Sequence, residues 1–113
     1  MDLLVVVVND DDFEKVMTLF VEMGIGGATV IESKGMGQVI SHEIPIFATL
    51  RSLVHEACAH NKTIFAVIRK KKILKDTIES LENIIDFEKP GGGILFVVPI
   101  TEAFGLTDGV WSR

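Results

Sequence analysis

The sequence predicts an α+β domain in which two strand–helix–strand units follow one another along a single chain of 113 residues. Three observations predict it. Two short apolar runs, Leu3 to Val8 and Thr63 to Ile68, have the length of strands, and each is followed by apolar residues at helical spacing. Each helical stretch ends in a glycine-bearing turn that leads into another short apolar run, so the plan is stated twice. The length itself allows one domain with one core, since a chain of this size buries roughly two-thirds of the surface it exposes when unfolded. Folded together, the two units give the ferredoxin-like βαββαβ arrangement, a four-stranded antiparallel sheet with both helices on one face.

The elements follow in order. Leu3 to Val8 is continuous and β-branched, and Asn9-Asp10-Asp11-Asp12 closes it with residues that cap a helix and complement its positive end. Phe13, Val16, Met17, Phe20 and Met23 then recur at three- and four-residue intervals until Gly24 stops the pattern. Gly26-Gly27 turns into a second strand, Ala28 to Ser33, and Lys34-Gly35-Met36-Gly37 opens a long connection over residues 38–61. That connection is too apolar for a disordered loop. Phe47, Leu50 and Val54 fall at helical spacing, and Pro45 suits the entrance of a short amphipathic helix. The second unit runs from Thr63 to Ile68, through a helical stripe of Leu74, Ile78, Leu81 and Ile85, to the turn Pro90-Gly91-Gly92-Gly93 and the strand Ile94 to Val98.

Composition bounds both assembly and partners. The chain is 48% hydrophobic with a mean hydropathy of +0.40, apolar for a small domain whose surface is large relative to its volume. Leu3 to Val8 and Ile94 to Val98 are apolar at consecutive positions, so both faces of those strands ask for burial, whereas two helices cover only one. The other face is expected to meet a further subunit. A net charge of −5 and a pI near 5.1 argue against general nucleic-acid binding, which needs a basic footprint. No apolar run approaches the ~20 residues that span a bilayer, and Asp2 precedes the first apolar run where a signal peptide would carry basic residues. A single cysteine, Cys58, forms no internal disulfide and fits a reducing compartment. These readings together expect a cytoplasmic protein without membrane insertion.

Two segments carry the most specific signal. They are Gly24-Ile25-x-Gly27-x-Thr29-Val30-x-Glu32-x-Lys34-Gly35-x-Gly37 and Gly91-x-Gly93-x-x-Phe96-Val97. With the element order over residues 3–100, they resemble the PII signalling superfamily. The resemblance implies a non-enzymatic homotrimer that senses a small molecule at inter-subunit clefts and touches an unidentified protein partner through segment 38–61. It implies Thr29, Lys34, Gly35, Gly37, Gly91, Gly92 and Gly93 as ligand-binding residues, and Phe47, Leu50 and Val54 as the partner-binding ones. Backbone N–H groups at the glycines would form an anion-binding concavity, Thr29 would face a purine edge, and Lys34 would supply a cation. A bulky residue at Gly37 or Gly92 is then expected to abolish ligand binding in a folded trimer.

Members of that superfamily that bind ATP have a lysine after the last glycine of the second segment and two arginines beyond the final core strand. Here Ile94 takes the lysine position, and no arginine lies between Thr101 and Thr107. The implied ligand is therefore an adenine nucleotide other than ATP held in the usual way, because each charge-assisted hydrogen bond to phosphate is worth ~1.5–3 kcal/mol. The chain has no tyrosine, so control by uridylylation is excluded on chemistry.

Other clusters compete. His55, Cys58 and His60, near His42 and Glu56, contain metal-ligand types, and they support the alternative of a trimeric divalent-metal-binding protein of the CutA kind. Against it, the set has no recognised zinc spacing. Asp10 to Asp12 read more simply as a helix cap than as a Mg²⁺ cluster. Arg69-Lys70-Lys71-Lys72 stands where the second helix begins, the wrong end for cations, and reads either as a solvated turn or as an anion- or partner-binding patch. No catalytic constellation or dinucleotide fingerprint is present.

Overall fold

A computed structural model of the protein describes residues 1–36, 39 and 60–106. Its elements are β1 (Asp2–Asn9), α1 (Asp10–Glu22), β2 (Thr29–Ser33), β3 (Asn61–Ile68), α2 (Lys71–Ile84) and β4 (Ile94–Pro99). The strands form one sheet in the order β2-β3-β1-β4, with every neighbouring pair antiparallel. This is the expected ferredoxin-like α+β architecture. The expected helix near Phe47, Leu50 and Val54 lies outside the described residues.

Local chemistry explains the helix ends. The Asn9 side chain accepts the Asp12 N–H at 2.9 Å, which satisfies one of the free donors at the start of α1, and Asp10 to Asp12 occupy its first turn. At the other end the Met23 N–H donates to the Leu19 carbonyl at 2.9 Å, and Gly24 follows with φ 78°. Helix α2 begins without such a cap and with no acid in its first turn. It is tied down by an ion pair, Lys71 Nζ to Asp2 Oδ2 at 2.7 Å, which joins the start of the helix to the start of the central strand β1.

The core lies between the sheet and the two helices. Leu4, Val6 and Val8 of β1 and Ile64, Ala66 and Ile68 of β3 point one way and meet Val16, Leu19 and Phe20 of α1 and Leu74 and Leu81 of α2. Truncating a fully buried member such as Leu81 to alanine costs about 2–5 kcal/mol. One core position escapes the apolar stripe read from sequence. Thr77 is fully buried, while Ile78 is only partly so. Leu74, Thr77 and Leu81 stand at i, i+3 and i+7, which directs them at the middle of the sheet and turns Ile78 toward the flank.

The register shows what the opposite face carries. Leu3, Val5 and Val7 pair with Val67, Phe65 and Thr63 on one side and with Val98, Phe96 and Ile94 on the other, so these residues share the helix-free face. Ile31 and Thr29 of β2 extend it. On this face Ile94, Phe96 and Val98 are 59%, 47% and 41% exposed, a contiguous apolar surface of the kind that marks an interaction site.

Candidate functional site

The strands set two ends of the sheet apart. At one end β2 finishes at Ser33, opposite Asn61, and β4 starts at Ile94, opposite Val7. Lys34-Gly35 and Gly91-Gly92-Gly93 therefore lie at the same end. They lie on opposite edges, however, because β3 and β1 stand between β2 and β4. Three strand spacings of about 4.8 Å put roughly 14 Å between those edges. Among the described residues, neither of the two grooves of the chain is lined by both stretches. A cleft that uses both stretches needs the edge of a second copy.

Each stretch has its own local demands. The turn before β4 is folded tightly on itself. The Gly92 N–H donates to the Lys89 carbonyl at 2.8 Å, and a Cβ at Gly92 would lie 2.0 Å from the Asp86 carbonyl oxygen. Gly93 has φ 132°, and a Cβ there would lie 2.8 Å from the Val7 carbonyl oxygen. The Gly92 amide is thus spent inside the turn, so an anion at this turn would draw on its neighbours. The expectation of a folded trimer carrying a bulky residue at Gly92 does not survive that contact, because the backbone itself would have to move. At the other edge the Val39 N–H donates to the Gly35 carbonyl at 3.1 Å. Gly37 lies outside the described residues.

Charge organises the same end. Lys62 of β3 places its Nζ 2.7 Å from Glu32 Oε1 and 3.0 Å from Asp10 Oδ1, and 5.3 Å from the centre of the Phe13 ring. The hydrogen bonds to Glu32 and then Asp10 raise the lysine above its ordinary pKa. One cation thereby joins β2, β3 and the start of α1. At the far end of β1 the hydrogen bond from Lys71 holds the Asp2 carboxyl below its ordinary value.

Thr29 belongs to neither glycine turn. It sits at the start of β2, four residues or about 13 Å along the strand from Ser33. There it lines a groove of about 860 Å³ between the α1–β2 loop and the β3–α2 junction. Its floor is Leu3, Phe65 and Val67, its near wall is Gly24 to Ala28, and Arg69, Lys70 and Ile73 form the far lip, with Leu106 beside them. The sequence reading named Thr29 and the basic cluster separately; what it missed was that the topology brings them to one groove. The signal was present in Arg69-Lys70, because cations at a helix start have no local electrostatic reason to be there. A smaller groove of about 440 Å³ runs between α2 and β4, lined by Ile78, Glu82, Phe87, Gly93, Ile94 and Leu95.

The remaining expected site residues are easily placed. Lys34 is exposed at the end of β2, and His60 is exposed just before β3. Phe47, Leu50, Val54, His55 and Cys58 lie outside the described residues. Among the described residues, no three His, Cys, Asp or Glu side chains come together as a metal site requires. No helix among them is long and apolar enough to cross a membrane.

The chain is thus a two-layer α+β domain of the βαββαβ class, with an apolar helix-free sheet face and glycine turns before β2 and β4. Comparison with known families agrees. The sequence profile of the family described as nitrogen regulatory protein P-II matches residues 1–109, and the chain belongs to that family. No curated protein matches the chain. Membership places it among signalling regulators of a kind that is typically not enzymatic.

Proposed function

We propose that this chain is a non-enzymatic regulator that assembles as a homotrimer and senses an adenylyl ligand other than ATP at its inter-subunit clefts. The observation that carries the reading is the separation of the two glycine stretches. They lie at one end of the sheet but on opposite edges, and a second protomer is what would bring Lys34-Gly35 of one copy against Gly91 to Gly93 of the next. The helix-free apolar face supplies the driving force for such assembly. Segment 38–61 follows Lys34-Gly35 closely in the chain, so an occupied cleft would change how that segment is presented to a protein partner.

Two measurements test the reading. Thermal unfolding against AMP, cyclic AMP, cyclic di-AMP and ATP should show a selective rise in Tm with one of the first three, by mass action on the native state. Sedimentation should give three chains per particle, and Phe96→Glu should break that particle by placing a charge on its apolar contact face. A monomeric wild-type protein, or one whose Tm moves with none of the adenylyl ligands, would defeat it.

A further inference from the structure

We infer that the end of the molecule formed by the start of α2 and the chain beyond β4 is a peripheral docking surface for an anionic lipid bilayer. The charge order of α2 is the first observation. Arg69, Lys70, Lys71, Lys72 and Lys75 are five of the 11 basic residues of the chain; they fall close together with no acid among them, and all are exposed. Asp76, Glu79 and Glu82 follow, so the helix carries cations where its dipole is positive and acids toward the end where it is negative. Neither end of the helix gains from that order. The ion pair with Asp2 explains Lys71 alone.

The fold sets these cations apart from most of the acids. Helix α2 starts where β3 ends, at Ile68 opposite Asp2, whereas α1 starts at the other end of β1, beside Asn9, and carries Asp10, Asp11, Asp12 and Glu14 there. The length of β1 separates the two ends by about 23 Å. That is more than twice the ~8 Å over which exposed charges act at physiological salt. An anionic surface at the α2 end is therefore screened from the acids of the α1 end, although the chain carries a net charge of −5. Of the acids nearest the cations, Asp2 is buried under Lys71 and Asp76 is held by Lys72, which leaves Glu22 and Glu102 as the exposed ones among the described residues.

An apolar group at the same end selects a membrane over a soluble polyanion. Pro99 pairs with Asp2, and the Ile100 N–H donates to the Met1 carbonyl at 3.1 Å, so the chain leaves the sheet at the α2 end. Beyond it Phe104 is 89% exposed, and Leu106, also exposed, lies by Arg69, Lys70 and Ile73. Lysines beside a projecting phenylalanine suit a layer of headgroups: the phosphates meet the ammonium groups, and the ring enters the boundary above the acyl chains. Segment 38–61 joins the sheet at the opposite end, between Ser33 and Asn61, so this surface needs neither that segment nor the proposed cleft.

Co-sedimentation of the full chain with vesicles tests the assignment, comparing phosphatidylcholine alone with an equal mixture of phosphatidylcholine and phosphatidylglycerol. Binding to the mixed vesicles, none to phosphatidylcholine alone, and release by salt are the expected result. Lys72→Gln combined with Lys75→Gln should weaken partitioning roughly 25-fold, about fivefold for each cation removed from the surface. Phe104→Ser should weaken it roughly tenfold. Lys15→Gln, the same loss of charge on α1 at the other end, should leave it unchanged. All four side chains are exposed, so the variants keep the fold. Equal binding to both vesicles, no binding to either, full binding by the lysine variant or by Phe104→Ser, or an equal loss from Lys15→Gln would each overturn the surface. A chain that passes over the vesicles and binds polyglutamate instead has an acidic protein as its partner, and the bilayer is ruled out. None of these residues belongs to the proposed cleft, so the two proposals fail separately.

Discussion

The turn into β2 and the turn into β4 hold equivalent places in the two strand–helix–strand units, and both are rich in glycine, yet the structure uses them in opposite ways. Before β4, Gly92 and Gly93 are pressed against the carbonyl oxygens of Asp86 and Val7, where a single carbon atom does not fit. Before β2, Gly27 faces open space and borders the large groove. The same residue type thus answers a packing demand in one turn and leaves room in the other. A glycine-rich turn is evidence of a ligand only after its contacts with its own chain have been counted.

That contrast breaks most readily at Gly92. Alanine there sets a Cβ 2.0 Å from the Asp86 oxygen and 2.9 Å from the Lys89 oxygen, so the turn must open. A loss of about 3 kcal/mol in unfolding free energy is expected for such overpacking. Urea denaturation reads it as a lower midpoint at constant slope. Gly93→Ala should cost less, about 1–3 kcal/mol, from a positive φ and a 2.8 Å approach to the Val7 oxygen. Retention of wild-type stability by both variants would mean that the turn before β4 yields easily, and the contrast between the turns would disappear.

How much of this was legible beforehand follows from the range of each interaction. The element order was legible because β1, α1, β3 and α2 are each written by a local pattern: the β-branched run of Leu3 to Val8, the cap at Asn9, and the spacing of Leu74 and Leu81. The unpaired sheet face was also legible, since Ile94 to Val98 is apolar at every position where a half-wet strand would alternate. Thr77 was not, because a buried threonine looks the same in sequence as an exposed one. Nor was the grouping of Thr29 with Phe65 and Arg69, which depends on the pairing of β2 with β3 across the long connection. The sequence reading placed Lys34-Gly35 and Gly91 to Gly93 at a cleft between subunits; that they stand on opposite edges of a single chain follows from the strand order, which only the sheet reveals.

The two turns also differ in what anchors their surroundings. The turn before β4 is packed against its own backbone, whereas the start of α2, across from the β2 turn, carries the ion pair between Lys71 and Asp2. The Asp2 carboxyl has a folded pKa below its ordinary value of 3.8, so its contribution to stability is complete above that value and is lost as the pH falls below it, through the lowered pKa. Asp2→Asn should therefore lower the unfolding midpoint at about pH 6, by less than either change in the β4 turn, and the gap to the wild-type chain should close under acid conditions. An undiminished gap at low pH would assign the effect to shape rather than to charge.

The smallest effect is the sharpest test of the comparison, because its sign should reverse. Gly27→Ala adds a carbon that meets nothing within 4 Å, at a backbone conformation open to any residue. The substitution also narrows the conformational freedom of the unfolded chain, which stabilises a compatible position by about 0.4–1 kcal/mol. A slight rise in the urea midpoint is the expected outcome, against a clear fall for the identical change at Gly92. A fall in stability would place Gly27 under the same packing demand as Gly92, and the contrast between the two turns would disappear.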